Sequence, residues 1–361
     1  MSEAVGAREA LALLERTRAL VDPRLRAAVG TLPRALRRVA AYHFGWEEHE
    51  HGAGDPMVPG SPDSPGVPGA PGAGFGGKAI RPALVLAAAD AFGGPAEPAV
   101  GAAAAVELVH NFTLLHDDVI DEDATRRHRA TAWAAFGTAD AIIAGDAMLA
   151  LAHRMLAEDG HPAAVEAAHR LAGCVIELCA GQQADCAFEE RAPEDVLLDE
   201  CLTMATAKTG ALLGCSCAIG ALYAGAGPEE AAAMDAFGRE AGLAFQLIDD
   251  LIGIWGDPGR TGKPAGADLA AHKKSLPVVA ALTSGTPAGA ELAELYRGPL
   301  TGAAVARAAD AVDRAGGRDW AQEQASDRMA RAVHELSRAV PDLAAAGDLL
   351  ALAEFVTRRN R

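Results

Sequence analysis

The chain contains 361 residues, of which 50% are hydrophobic and only 4% aromatic, and its formal net charge at pH 7 is −17. Alanine is abundant and runs of β-branched residues are scarce, a composition that favours closely packed helices. The negative charge argues against a general binder of nucleic acid or of anionic membranes, because either would need a positively charged surface.

The cysteines and the apolar stretches predict the compartment. Six cysteines lie between residues 174 and 217, and no two of them form a Cys-x-x-Cys pair. With no recognisable signal peptide or lipidation motif, these features predict reduced thiols in a cytoplasmic protein. The longest uninterrupted apolar stretches, such as 82–89 and 101–106, are shorter than the roughly 18 residues of a membrane span, so we expect no stable membrane insertion.

The first part of the chain is predicted to contain two helices and an insertion. Amphipathic helices are expected over 4–21 and 23–43, with Pro23 in the first turn of the second, where proline is tolerated. Residues 45–77 are rich in proline and glycine, with a proline at every third position from Pro56 to Pro71, and are predicted to form a flexible insertion. This spacing favours polyproline II or disorder. We interpret the segment as a tolerated insertion, with a docking site for a partner as the alternative.

Nearly all of the remaining sequence is predicted to be helical, with breaks at glycine and proline clusters such as GGP (93–95) and GAGP (225–228). The predicted helices cover 79–92, 98–122, 132–157, 162–187, 194–223, 228–253, 275–283, 288–295, 302–315 and 318–357, the last interrupted near Pro341. No strand-like alternation is found. The sequence therefore predicts an all-α fold, a single-domain bundle of about ten or more helices that includes residues 1–361.

Two aspartate clusters lie in apolar helical sequence, in LLHDDVIDED (114–123) and FQLIDDLIG (245–253). Carboxylates rarely enter the interior of a helical protein without a compensating cation. Asp117 and Asp121 lie one turn apart and share a helix face, with Asp118 beside them, and Asp249 and Asp250 occupy a similar place on a later helix. If the two faces oppose each other, they enclose a site for Mg²⁺ and, through the metal, for phosphate.

Basic residues accompany these clusters in a protein that is otherwise acidic. They are Lys78, Arg81, Arg126, Arg127, Lys208, Lys263, Lys273 and Lys274. In GGKAIRP (76–82), Lys78 and Arg81 stand three residues apart where a helix begins, so they can converge on one anion. The set predicts a pocket that binds diphosphate.

In chain order, these motifs resemble those of the trans-isoprenyl diphosphate synthases, the polyprenyl synthetase family. GGKAIRP resembles the family's GGKRxRP, ELVHNFTLLHDDVID (107–121) resembles its first DDxxD motif, and Arg126 with Arg127 resembles the RR pair that follows. GQQAD (181–185) resembles GQxxD, Lys208 with Thr209 resembles KT, FQLIDD resembles FQxxDD, and GKPAGADLAAHKKSLP (262–277) resembles GKxxGxDxxxxKxTLP. The resemblance covers residues 76–277 and implies helices around a central active-site cavity.

The resemblance implies a Mg²⁺-dependent prenyltransferase that condenses isopentenyl diphosphate with an allylic diphosphate, with three Mg²⁺ ions per active site and a homodimer. It assigns metal binding to Asp117, Asp118, Asp121, Asp249 and Asp250, with direct ligation by Asp117, Asp121 and Asp249. It assigns the departing diphosphate to Arg126, Lys208 and Lys263, and isopentenyl diphosphate to Lys78, Arg81, His110 and Arg127. Thr209 and Gln246 would place dipoles near the developing positive charge.

Two positions depart from the family pattern. Gly253 stands where the second motif usually has a third aspartate, and His128 replaces the glycine that commonly follows the RR pair. Phe112 and Thr113, directly before the first motif, place one aromatic beside a small residue, which in the family resembles synthases of the C20 product geranylgeranyl diphosphate. Farnesyl diphosphate is the alternative product. A class I terpene cyclase and a non-catalytic subunit that binds prenyl diphosphate are the alternative functions.

Overall fold

The computed structural model describes residues 2–48, 79–126, 129–261, 264–340 and 342–357. The predictions made for Lys78, Arg127 and Lys263, and for residues 49–77 of the insertion, lie outside the described residues.

Helices dominate the described residues, which confirms the all-α prediction. They are α1 (Ser2–Gly30), α2 (Arg34–His43), α3 (Ile80–Ala91), α4 (Ala96–Ile120), α5 (Ala132–Phe136), α6 (Thr138–Ala157), α7 (Ala164–Glu190), α8 (Leu198–Ala205), α9 (Ala211–Tyr223), α10 (Pro228–Trp255), α11 (Pro258–Thr261), α12 (Ala267–Ala270), α13 (Leu276–Leu282), α14 (Pro287–Tyr296), α15 (Ala303–Arg314), α16 (Gly317–Ala339) and α17 (Gly347–Thr357). A 3₁₀ turn (Pro193–Asp195) precedes α8, and a π turn (Thr206–Gly210) joins α8 to α9 without a break.

The helices that carry the predicted site form the centre of the bundle. Helix α4 packs against α3 and α6, α9 packs against α3 and α10, and α10 packs against α16. Small residues allow these close approaches: a β-carbon at Gly238 of α10 would lie 2.5 Å from the carbonyl oxygen of Leu213 in α9. Glycine at this crossing therefore lets the two backbones meet, which brings the second aspartate cluster next to the π turn.

Among the described residues, two helical segments are long and apolar enough to cross a membrane by length and composition, although neither contains a long uninterrupted apolar run. They are α4 and the continuous helix over residues 198–223. In the folded chain, 67% and 78% of their most apolar windows are buried. Such burial is typical of core helices, whose apolar faces are covered by other helices rather than by lipid.

The predictions at Pro23 and after the first aspartate cluster were wrong. The break expected at Pro23 is absent, because Pro23 lies inside α1 and the chain turns instead between Gly30 and Arg34. The missing hydrogen bond at Pro23 is offset by packing, since Val21, Leu25 and Val29 stay fully or almost fully buried on one continuous face. A short antiparallel hairpin, β1 (Thr125–Arg126) and β2 (Arg129–Ala130), follows the first aspartate cluster, where no strand was predicted.

Candidate active site

The first aspartate cluster lies at the C-terminal end of α4. Asp117 is half-buried in the last turn, and Asp121 caps the helix and is exposed. Burial raises the pKa of Asp117 to about 6, and Lys208 acts in the opposite direction. Burial also raises the pKa of Asp121, again opposed by Lys208 and, more weakly, by Lys273. Carboxylates at the negative end of a helix dipole are unfavourable, so this end of α4 favours a bound cation.

Asp118 has a different environment from its neighbours. It is only 1% exposed, and Arg126 of β1 donates from Nε to its Oδ1 at 2.7 Å, while Nη2 of Arg126 lies 2.7 Å from the same oxygen. Burial raises the pKa of Asp118, and the hydrogen bond from Arg126 opposes this. The ion pair between Asp118 and Arg126 therefore holds the hairpin against α4, and each of the two side chains is engaged by the other.

The second aspartate cluster lies in the C-terminal half of α10. Asp249 is exposed, whereas Asp250 is only 3% exposed. The backbone N–H of Leu276 donates to Oδ2 of Asp250 at 2.9 Å, and Gln246 Nε2 donates to Oδ1 at 2.8 Å. Burial raises the pKa of Asp250 to about 6, and Lys273 opposes it. Asp250 thus fastens the first residue of α13 to α10 and leaves Asp249 as the solvent-facing carboxylate of the pair.

Gln246 also connects α10 to the π turn. Thr209 Oγ1 donates to Gln246 Oε1 at 2.7 Å, and Gln246 in turn donates to Asp250. The residues predicted from the KT pair and the second aspartate motif therefore form one hydrogen-bonded chain from the π turn to α10. A π turn inserts an extra residue into a helix and is frequent at functional sites.

Lys208 lies in the π turn and forms an ion pair with Asp185, a residue that was not among the predicted site residues. Its Nζ lies 2.6 Å from Oδ2 of Asp185 on α7. Burial acts to lower the pKa of Lys208, but Asp185 and Asp117 outweigh it and the pKa is raised. A β-carbon at Gly181 would lie 2.6 Å from the backbone nitrogen of Lys208, so only glycine lets α7 approach the π turn here. The GQQAD motif was the signal for this contact, because it supplies both Gly181 and Asp185.

Lys273 connects the two aspartate clusters electrostatically. Its Nζ lies 3.9 Å from Oδ1 of Asp250 and 3.7 Å from Oδ2 of Asp268. Burial acts to lower the pKa of Lys273, but Asp250, Asp268 and, more weakly, Asp249 raise it overall. Lys273 also weakly opposes the raised pKa of Asp121, so its ammonium group lies within electrostatic reach of carboxylates on both α4 and α10.

Arg81 and His110 come together as the sequence predicts for the second diphosphate pocket. Nη1 of Arg81, in the first turn of α3, lies 3.1 Å from Nε2 of His110 on α4. Burial lowers the pKa of Arg81, and the nearby carboxylates of Glu107 and Asp117 oppose this. Ala79, the residue before α3, has a left-handed backbone with φ of 52°. For alanine this conformation costs about 1–2 kcal/mol, so the turn that introduces Arg81 is strained.

Phe112 and Thr113, the two predicted residues before the first aspartate motif, have different surroundings on α4. Phe112 is buried and its ring centroid lies 4.7 Å from that of His116, with which it forms an edge-on contact. His116 packs where a side chain at Gly145 of α6 would stand, so this ring pair faces α6. Thr113 is buried one turn before Asp117, and its hydroxyl donates to the carbonyl of His110. Phe112 therefore belongs to the wall between α4 and α6, below the aspartates.

The donor set fits a hard divalent cation that is shared with phosphate. Asp117, Asp121 and Asp249 have carboxylates that are half-buried or exposed, and oxygen is the ligand that Mg²⁺ prefers. Within the part of the chain that the structure describes, no three His, Cys, Asp or Glu side chains are close enough to hold a metal ion by themselves. Mg²⁺ is commonly bound by one or two carboxylates together with substrate phosphates, which matches this arrangement.

The comparisons with known proteins agree with the fold. Residues 72–312 match the family model described as polyprenyl synthetase. The chain is 47% identical over 352 residues to a geranylgeranyl diphosphate synthase of Mycobacterium tuberculosis, covering 97% of this chain and 94% of the relative. It is 41% identical over 359 residues to a (2E,6E)-farnesyl diphosphate synthase of Mycobacterium bovis, with coverages of 98% and 94%.

A solved polyprenyl synthetase from Streptomyces coelicolor superposes with a TM-score of 0.85 at 43% identity, covering 96% of this chain and 98% of that one. The helical bundle, with aspartate clusters on two central helices and a lysine in a π turn between them, defines a trans-prenyltransferase. The chain belongs to the polyprenyl synthetase family.

Proposed function

We propose that this enzyme condenses isopentenyl diphosphate with an allylic diphosphate, in the presence of Mg²⁺, to give geranylgeranyl diphosphate. The observation that carries the proposal is the hydrogen-bonded chain from Thr209 in the π turn through Gln246 to Asp250, which joins the turn that holds Lys208 to the second aspartate cluster. A site with acidic oxygens and surrounding cations suits two diphosphate substrates and the metal ions that join them to the protein.

Asp117, Asp121 and Asp249 would hold the metal, with three ions per active site as the family resemblance implies. Bound Mg²⁺ would neutralise the departing diphosphate. Lys208, oriented by Asp185 at 2.6 Å, donates to the same diphosphate as the bond between its oxygen and the allylic carbon breaks. Arg126 and Lys263 are proposed to assist. To bind the diphosphate, Arg126 would have to give up part of its interaction with Asp118.

Isopentenyl diphosphate is assigned to Arg81 and His110, with Lys78 and Arg127. Arg81 can hold a phosphate in two hydrogen bonds, and the contact of its Nη1 with His110 at 3.1 Å orients the guanidinium. The isopentenyl double bond then attacks the allylic cation and a new carbon–carbon bond forms. The Thr209 and Gln246 dipoles lie beside the developing charge. The released diphosphate accepts the proton that the isopentenyl unit loses.

The C20 product is supported by the side chains below the first aspartate cluster. Phe112 is buried against α6 five residues before Asp117, whereas Thr113 beside it is small. One bulky ring leaves room for a longer chain than two rings would. The 47% identity to a relative named geranylgeranyl diphosphate synthase supports the same product, ahead of the relative named farnesyl diphosphate synthase at 41%.

The enzyme is proposed to be a cytoplasmic homodimer with one synthase domain over 1–361, in which 45–77 is an insertion. Large apolar side chains are exposed on the neighbouring helices α6 and α7, namely Ile142, Ile143, Val165 and Ile176. Covering these side chains with a second copy of the chain would remove them from water. Light scattering coupled to size exclusion tests the dimer, and the same experiment on a chain lacking 49–77 tests whether the insertion binds a partner instead.

Release of pyrophosphate separates the proposal from its alternatives. The proposed synthase releases pyrophosphate from isopentenyl and farnesyl diphosphates only when both are present with Mg²⁺, and mass spectrometry then detects a C20 diphosphate. A terpene cyclase would release pyrophosphate from farnesyl diphosphate alone. A non-catalytic binding subunit would release none under either condition, and either of these outcomes would overturn the proposed function.

A further inference from the structure

Gly253 of α10 faces a carboxylate from a different segment. It stands one helical turn after Asp249 and Asp250. A β-carbon built on Gly253 would lie 2.5 Å from Cγ of Asp268, 2.9 Å from its Oδ1, and closer still to its Oδ2. Asp268, on the short helix α12, therefore fills the volume that any side chain at position 253 would enter.

Asp268 is held in this position by several contacts. Lys273 Nζ lies 3.7 Å from its Oδ2 and also 3.9 Å from Oδ1 of Asp250, so one ammonium group links the two carboxylates. The backbone N–H of Lys273 donates to the carbonyl of Asp268 at 2.9 Å. Tyr296 in turn donates from its hydroxyl to the carbonyl of Lys273 at 3.1 Å. These bonds tie α12 to the end of α10 and keep the Asp268 carboxylate beside the second aspartate cluster.

We propose that Gly253 and Asp268 are a matched pair, in which Asp268 supplies from α12 the third carboxylate that α10 lacks, and Gly253 provides the space for it. The inference rests on the proposed function, because the carboxylate is assigned to the divalent cations of that site. It follows that Gly253 does not mark a weakened metal site. It also follows that adding an aspartate at this position would injure the site, because two carboxylates would compete for one volume.

Five variants separate the effect of the carboxylate charge from the effect of the space that it fills. Asp268→Ala removes the carboxylate, and Gly253→Ala displaces it with a methyl group that itself favours the helix. Gly253→Asp places two carboxylates in competition. The double variant Gly253→Asp with Asp268→Ala moves the carboxylate onto α10, and Gly253→Ala with Asp268→Ala is its matched control, because it fills the same space without the charge.

Mn²⁺ binding in the presence of inorganic pyrophosphate, followed by electron paramagnetic resonance, measures the effect without turnover. Each single variant is expected to weaken Mn²⁺ binding by about tenfold or more, the usual effect of losing a group that supports a metal site. The double variant with the relocated carboxylate is expected to recover several-fold over Asp268→Ala, and its control is not. Thermal denaturation should show all variants folded.

Three results would overturn the proposed pairing of Gly253 with Asp268. They are unchanged or tighter Mn²⁺ binding in Gly253→Asp, no recovery of Mn²⁺ binding in the double variant Gly253→Asp with Asp268→Ala, and no Mn²⁺ binding by the wild-type protein with pyrophosphate. The wild-type protein is assayed in parallel for pyrophosphate release from isopentenyl and farnesyl diphosphates. If Mn²⁺ binding follows the expected pattern but no release occurs, the proposed function fails and the pair stands. If release occurs without that pattern, the pair fails and the function stands.

Discussion

The ion pair between Lys208 and Asp185 joins the π turn to α7. Replacing Lys208 allows its proposed interaction with the departing diphosphate to be tested separately from its effect on folding stability. Replacing Lys208 with methionine keeps most of the side-chain volume and removes the positive charge. A preorganised donor to a developing negative charge is worth about 100-fold or more in kcat. We therefore expect kcat for pyrophosphate release to fall by at least about 100-fold, equivalent to about 2.7 kcal/mol of transition-state stabilisation.

The expected loss of folding stability is smaller. The side chains of Lys208 and Asp185 retain 27% and 21% of their exposure, so solvent screens the pair partly. We expect the free energy of unfolding to fall by about 1–2 kcal/mol. The matched control is Arg328→Met, because Arg328 pairs with Glu240 at 3.2 Å, joins α16 to α10, and has similar exposures of 18% and 24%.

Steady-state kinetics with isopentenyl and farnesyl diphosphates, together with urea denaturation, compares the two variants. The control should lose a similar amount of stability and keep kcat within a few-fold of the wild-type enzyme. A wild-type kcat in Lys208→Met would refute the role of Lys208 at the diphosphate. An equal loss of kcat in both variants would show that the effect comes from weakened helix packing.

Three further predictions concern Asp117, Phe112 and Asp250. Burial raises the pKa of Asp117 to about 6, so the contribution of this carboxyl to folding stability is complete below about pH 4 and is lost as the pH rises through about 6. Mg²⁺ with pyrophosphate should therefore raise the Tm more at about pH 7.5, where Asp117 is ionised, than at about pH 5, and equal increases in Tm at the two pH values would contradict this. Phe112→Ala should lengthen the product beyond C20 in mass spectrometry, and an unchanged product would reject its role in limiting chain length. Asp250→Ala should lower the free energy of unfolding by about 3 kcal/mol in urea denaturation, because it leaves the Leu276 N–H and the Gln246 amide without their acceptor, and a loss below about 1 kcal/mol would argue against this structural role.

Helix positions were largely predictable because breaker residues and periodicity act locally. Helix α10 was predicted over 228–253 and observed over Pro228–Trp255, since Pro228 suits a first turn. Pro23 shows the limit of local signals, because the buried face of α1 continues through it and tertiary packing outweighs one lost hydrogen bond. The hairpin at Thr125–Ala130 is too short to produce the alternation by which strands are recognised.

The site was predictable in its motifs but not in its pairings. Adjacent aspartates in an apolar helix look alike in sequence, yet Asp118 and Asp250 are buried against protein donors, while Asp117 and Asp249 are more accessible. Rotation of each helix within the bundle decides this, and sequence periodicity leaves that rotation open. The contact of Asp268 with Gly253 likewise depends on how the segment after α10 folds back, which no local pattern in GKPAGADLAAHKKSLP determines.

The convergence of the two aspartate clusters on the same divalent ions is tested most directly by anomalous diffraction from crystals soaked with Mn²⁺ and pyrophosphate. We predict Mn²⁺ peaks about 2.1 Å from carboxylate oxygens of Asp117, Asp121 and Asp249 within a single cavity, with pyrophosphate between them. Mn²⁺ bound elsewhere, or at one cluster with the other facing a separate cavity, would contradict the account.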